Sequence, residues 1–247
     1  MEGSSNPGIN PELALAHRFP EVSSLFQFNL KDAALYALGV GACGRDAVDA
    51  NELKYVYHCD GQQFIKIRSK SRIAGLHDKG CNITLPRTTV YLRGAGGFSK
   101  SSHPYSFASY SGNQTPAVEI PKTEPFASFE DITQASQALL HRLSGDYYPL
   151  HSDPMVAGIA GFPRPILHGL CTLGFAIRAI IRCICRGDPH MIKGLSGRFL
   201  SHVFPGETLI TETWLQGSRV IYQVQVKERN KAVLSGHVDL NRLPSQL

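Results

Sequence analysis

The nonapeptide Leu143-Ser144-Gly145-Asp146-Tyr147-Tyr148-Pro149-Leu150-His151 sets a carboxylate and an imidazole five positions apart, in a turn bracketed by Gly145 and Pro149. Close behind it, Pro165-Ile166-Leu167-His168-Gly169 opens a long apolar run. A base, an acid and a helix N-terminus gathered within about 25 residues are what proton transfer beside a carbonyl requires. Gly169, in the first turn of that helix, offers an unshielded N–H with the positive end of the helix dipole behind it, a donor suited to a developing oxyanion. Read singly, Asp146 is an ordinary Asx-turn residue and His151 an ordinary surface or core histidine. Their grouping with Gly169 favours chemistry.

Other motifs carry less. Gly39-Val40-Gly41-Ala42-Cys43-Gly44 satisfies G-x-G-x-x-G, but the preceding Asp32–Leu38 reads as helix. A dinucleotide fingerprint needs a strand there, so these glycines mark a helix C-terminus. Lys66, Arg68, Lys70 and Arg72 alternate with Ile67, Ser69 and Ser71 and describe a solvated edge strand. No aromatic ladder interleaves them, so nucleic acid is not an expected partner. His141, His151, Asp153 and His168 lack the i, i+4 helical pairing that zinc sites favour, and no metal is expected. A G-x-S-x-G nucleophile elbow is absent. The six cysteines form no C-x-x-C pair, which favours neither a zinc site nor a disulfide framework.

The elements that must position the pair are legible in the second half. Asp153-Pro154 is an N-cap with proline at the first helical position, opening a short helix to about Ala160. A long helix follows from about Ile166 to Cys185. It is too interrupted for a membrane span, because Arg178 and Arg182 form a water- or groove-facing stripe on it. Four strands are expected at Gly194–Phe204, Thr208–Leu215, Arg219–Arg229 and Ala232–Leu240, with turns at Pro205-Gly206, Gly217-Ser218 and Arg229-Asn230. Val220, Tyr222, Val224 and Val226 alternate with polar residues, the period of a half-buried strand, and would wrap the helix. In the first half a helix is expected over Lys31–Leu38 and strands over Leu53–His58, Phe64–Ile67 and Thr88–Arg93. No second long apolar helix occurs between Asp60 and Ser128, and residues 94–125 read as a Gly/Ser/Pro-rich linker. At 247 residues and 43% hydrophobic the chain can build a substantial core, and its net charge of +5 is mild.

The 143–151 segment and the Leu167-His168-Gly169-Leu170 that follows resemble the hydratase 2 motif, aromatic-x-Leu-Ser-Gly-Asp-x-Asn-Pro-Leu-His, of the MaoC-like dehydratase superfamily. The resemblance extends to Tyr36–Ala42 and Asn51–Tyr57. It implies an α+β double hot-dog fold, two helix-in-curled-sheet halves, here residues 1–115 and 116–247, with catalysis in the second. It further implies reversible syn hydration of trans-2-enoyl-CoA to (3R)-3-hydroxyacyl-CoA, with Asp146 and His151 holding the water and the Gly169 N–H meeting the thioester oxygen. Tyr148, His168 and Arg198 are the substrate-binding candidates. The implied chemistry needs no cofactor, its partner is an acyl-CoA thioester, and a homodimer is the expected assembly. The terminal Ser245-Gln246-Leu247 resembles the S-K-L peroxisomal address. Two departures stand out. Tyr148 occupies the position of the motif's Asn, and the first half is shortened after Gln63 and again between Gly80 and Arg87, so its hot dog is incomplete. These departures motivate the alternative reading, an impaired relative that binds acyl-CoA or pairs with a full-length hydratase.

Overall fold

The computed structural model describes residues 22–57, 64–71, 75–78, 82–85, 90–93, 106–108 and 118–241, with side chains for 31–57 and 118–241. The chain forms two compact units, Met1–Gln27 with Ile65–Thr115, and Phe28–Phe64 with Pro116–Leu247. Residues 28–64 thus belong with the second half, across the 115/116 line.

In the first unit, β1 (Val22–Asn29) pairs with β2 (Phe64–Ser71), and β3 (Gly75–Asp78), β4 (Asn82–Leu85), β5 (Val90–Arg93) and β6 (Ser106–Ala108) form a sheet of order β5-β4-β3-β6. Its described pairings are antiparallel. Among the described residues between Asp60 and Ser128 there is no helix.

The second unit begins with α1 (Leu30–Gly39) and a single turn, α2 (Ala50–Leu53). The latter corrects the strand expected over Leu53–His58. Asp49 caps it by accepting from the Asn51 N–H at 2.9 Å, so the local cap overrides the apolar pattern that follows. The remaining elements are β7 (Ala127–Ile132), α3 (Gln137–Arg142), α4 (Pro154–Ile159), α5 (Gly169–Cys183), β8 (Ile192–Phe199), β9 (Thr208–Gln216), β10 (Arg219–Val226) and β11 (Lys231–Leu240). The five strands make one antiparallel sheet of order β7-β9-β10-β11-β8. The glycine and asparagine of the expected turns sit at positive φ, with Gly206 at 95°, Gly217 at 58° and Asn230 at 45°.

Helix α5 lies against this sheet. Cys171, Phe175, Ala176 and Ile180 share one buried cluster with Val220, Tyr222, Val224 and Val226 and with Val233, Leu234, Val238 and Leu240 of β11. Sequence period places them there, because alternate strand residues face the helix while every third or fourth helical residue faces the sheet. No described helix is long and apolar enough to cross a membrane. The described cysteines are free thiols.

Two close approaches depend on missing side chains. Gly236 of β11 faces Gly197 of β8, and Tyr222 fills the space above them, its hydroxyl donating to the Ser196 carbonyl at 3.0 Å. A Cβ on Gly236 would lie 2.7 Å from the Tyr222 oxygen and against the Ser196 main chain. Backbone cannot swing aside as a side chain can, so Gly236→Ala is expected to lower unfolding free energy by about 1–3 kcal/mol in urea titration. At Gly174 of α5, a Cβ would meet Val40 Cγ1 at 2.3 Å, which shows how tightly the segment after α1 packs on the helix.

That segment is also held by charge. Arg178 is buried, with Nε donating to the Val40 carbonyl at 3.1 Å, Nη1 to Glu52 at 2.7 Å and Nη2 to Asp131 of β7. The stripe read as water- or groove-facing is therefore closed over at Arg178. Only Arg182 is open to solvent, where it pairs with Asp49 at 2.8 Å.

Candidate active site

Helix α5 starts at Gly169, three residues later than the apolar run suggested. Residues 166–168 are extended instead, with the Leu167 N–H donating to the Val203 carbonyl at 2.7 Å. This places Gly169 at the first helical position. The N–H groups of Cys171 and Thr172 both reach the His168 carbonyl. Those of Gly169 and Leu170, the first two helical positions, have no carbonyl of the helix within reach. Phe199, the last residue of β8, covers Gly169, and a Cβ there would meet its ring at 3.1 Å.

The 143–151 segment leaves α3 through Gly145, at φ 119°, and ends in a single 3-10 turn, Pro149–His151. Asp146 is exposed, and one of its carboxylate oxygens accepts the Tyr148 N–H at 3.2 Å, the bond of an Asx-turn. His151 is half-buried and donates Nδ1–H to the Ile166 carbonyl at 2.8 Å. A carbonyl only accepts, so the proton is on Nδ1 and Nε2 is bare, ready to take a proton. Asp146, His151 and His168 each direct one ligand atom into a group spanning no more than 4.8 Å. A single cation is poorly served by them. The His151 and His168 rings stack at 3.7 Å and 25°, so their nitrogen lone pairs lie in nearly parallel planes and cannot both point at one ion between the rings.

Of the substrate-binding candidates, Tyr148 is 60% exposed, and its ring is edge-on to His151 at 6.5 Å, so the residue replacing asparagine does not stack on that imidazole. His168 corrects the expectation, since at 2% exposure it has no surface to offer a substrate. Its Nε2 is 3.2 Å from the Asp146 carbonyl instead. Arg198 is exposed on β8, in register with Ser235. Strand alternation turns it to the face opposite its neighbour Phe199, away from Gly169, so it is not gathered with the others. The sequence reading weighed His141 only as a metal ligand and did not consider Phe199. His141 is buried on α3 with its ring 4.9 Å from that of His168. Its position four residues after Gln137, another buried polar residue on α3, is the only sequence signal.

Burial pushes the His168 imidazole down to about 4, helped by the neighbouring His151 and His141 and opposed by the Asp146 carbonyl and carboxylate. Burial also lowers His141. An unfolded chain has ordinary histidines near 6.5, so it takes up protons first as pH falls. The stability that these neutral rings contribute is complete above about 6.5 and lost as pH drops toward 4, on the order of 3 kcal/mol for His168. Urea unfolding at steps from pH 7 to 4.5 is expected to show that slope, flattened in His168→Phe.

Two clefts of about 250 and 280 Å³ in this unit lie beside Arg178, one lined by Glu52, Tyr55 and Arg182 and the other by Arg45, Asp131 and Gln137.

Residues 116–236 match the MaoC like domain. The whole sequence is 48% identical to the peroxisomal enoyl-CoA hydratase 2 of Arabidopsis thaliana, over 99% of both chains. The chain belongs to the enoyl-CoA hydratase 2 family. Its fold is the family's MaoC-like hot dog, and it aligns with two solved structures. The peroxisomal multifunctional enzyme type 2 of Drosophila melanogaster matches at 27% identity and TM-score 0.76, over 90% of this chain and 48% of that one. A MaoC-like dehydratase from Phytophthora capsici matches at 26% and 0.75, over 95% and 98%. The Arabidopsis alignment runs for 309 positions against a chain of 247 residues, so at least 62 positions of that relative have no counterpart here. This agrees with the shortening read from the sequence.

Proposed function

We propose that the chain is an enoyl-CoA hydratase 2 that adds water reversibly to trans-2-enoyl-CoA, giving (3R)-3-hydroxyacyl-CoA in peroxisomal fatty-acid β-oxidation. The observation that carries this reading is the convergence of the Asp146 carboxylate and the His151 imidazole beside the open N-terminus of α5. The bare Nε2 of His151 takes one proton of the water as its oxygen bonds to C3, while Asp146 holds the other hydrogen. Electrons from the double bond pass to the thioester oxygen, where the Gly169 N–H meets the developing charge. A proton returns from the pair to C2 on the same face, so Asp146 and His151 end the cycle with the protonation they began with.

Tyr148 forms a wall at the acyl mouth. The relatives' peroxisomal names together with Ser245-Gln246-Leu247, which lies outside the described residues, support the compartment. A homodimer through the second unit is the proposed assembly, and Leu195 and Phe199, half exposed on the outer strand β8, support it. The test follows loss of the conjugated thioester absorbance of crotonyl-CoA with purified protein and assigns the product's configuration by chiral chromatography. A (3R)-hydroxy product is expected. An (S) product or no turnover from folded protein refutes the reading, and acyl-CoA binding without turnover would establish the impaired relative instead.

A further inference from the structure

We propose that His168 is a positioning residue that braces the catalytic pair, tying the main chain of Asp146 and the ring plane of His151 to the start of α5. The inference rests on the hydratase reading and adds to it a residue that touches neither water nor acyl chain.

His168 is the N-cap residue of α5, in an extended conformation, yet its side chain makes no capping bond. Cap positions favour Ser, Thr, Asp or Asn because a short side-chain oxygen can accept a first-turn N–H. The imidazole reaches back 22 residues instead, to the Asp146 carbonyl at 3.2 Å. Since a carbonyl only accepts, Nε2 carries the proton and Nδ1 is bare. Nδ1 is buried and has no partner. A second proton would create an N–H with no acceptor, so the neutral form is the one this packing holds.

The same ring lies flat against His151 at 3.7 Å, and His141 packs against it at 4.9 Å. His151 is thereby held twice. Its bond to the Ile166 carbonyl fixes direction within the ring plane, and the stack fixes the tilt of that plane. The brace is needed because the Asp146 turn has little support of its own. Gly145 is at positive φ with open space around it, and among the described residues the Asp146 carboxylate bonds to a main-chain N–H within the turn. The groups facing His168 are His151, His141 and Asp146. When His151 takes the proton of water, it becomes a cation over the face of a neutral aromatic ring, which is a favourable contact.

The test combines kinetics with spectroscopy. His168→Phe keeps a ring in the stack and deletes the bond to Asp146. Its kcat is expected to fall about 10- to 100-fold with KM nearly unmoved, as for a small displacement of reacting groups. His168→Gln, which can still donate to that carbonyl, should recover part of the loss. In the wild type, long-range ¹H–¹⁵N spectra should show His168 as the neutral Nε2–H form at pH 6 and still at pH 5. The His151 ring signals should shift in His168→Phe whether or not the chain turns over. An Nδ1–H or charged His168 at pH 6, an unchanged kcat in His168→Phe, or unmoved His151 signals would each overturn the brace. Absence of hydration by the wild type would sink the hydratase reading instead, and the spectra would still decide the brace.

Discussion

Asp146→Asn and His151→Gln each cut hydration of crotonyl-CoA by about 10²- to 10⁴-fold, the range that a positioned acid or base contributes. Both changes are close in size to the native residue, which separates chemistry from folding. In Asp146→Asn the amide oxygen replaces one carboxylate oxygen and can still accept the Tyr148 N–H. In His151→Gln the new side-chain amide can still donate to the Ile166 carbonyl. Unfolding midpoints should therefore stay near wild type while turnover collapses. The double variant should be little worse than the poorer single one, since the two groups handle the same water. The readout is initial rate at the enoyl thioester band. A single variant that keeps more than half of wild-type kcat would take the proton-transfer role from that residue.

The second large effect concerns stability. Arg178→Met is expected to lower the unfolding free energy by about 3–5 kcal/mol, because the buried carboxylates of Glu52 and Asp131 lose their closest cation and keep only the longer pairs to Arg182 at 3.4 Å and Arg45 at 3.5 Å. Methionine keeps an unbranched stem and loses the guanidinium that lies 5.3 Å from the centre of the Phe175 ring. Burial already raises Asp131 against the lowering by Arg178 and Arg45. With Arg178 gone, this group should bind a proton at still higher pH. Adding Glu52→Gln and Asp131→Asn removes the orphaned charges and should recover much of the loss. Urea titrations of the single and triple variants measure both. A single variant within about 1 kcal/mol of wild type would show the network to be dispensable, against the usual cost of breaking a buried pair.

What the sequence disclosed was local or periodic. The alternation of Val220, Tyr222, Val224 and Val226 placed β10 and its buried face, and all four are fully buried. Asp153-Pro154 gave the start of α4, where the Asp153 carboxylate accepts from Met155 at 2.8 Å. Asp146 and His151 lie within one short motif, and the structure brings their side chains together. The failures share a different character. Asp49-Ala50-Asn51-Glu52 carries the D-x-x-E spacing of a capping box and could have announced α2. The apolar residues after it argued for a strand instead. Arg178 looked solvated because its acids are 126 and 47 residues away, and no local pattern reports such a distance. His168 looked like a ligand-facing group because it adjoins Gly169. Only the stack and the bond to Asp146 show that it faces inward. Arg198 was a substrate-binding candidate, but strand alternation sends it to the face opposite Phe199.

The attachment of residues 28–64 to α5 bears on which deletions the gene can tolerate. The second unit is discontinuous in sequence, and its two pieces meet through Val40 against Gly174, Gln137 Nε2 donating to the Gly39 carbonyl at 2.8 Å, and Glu52 on Arg178. Removing chain between residues 58 and 117 severs none of these contacts, since both ends of the cut remain independently anchored. The 62 or more positions absent relative to Arabidopsis are of that tolerable kind if they fall there, as the motif spacing indicates. Removing residues 36–55 would be a much shorter lesion and a far more damaging one. It would strip the cover from α5 and leave Arg178 facing water, although the stretch lies wholly outside the segment that matches the MaoC like domain. For this chain, the length of a deletion is a poor guide to its cost, and contact with α5 is a better one.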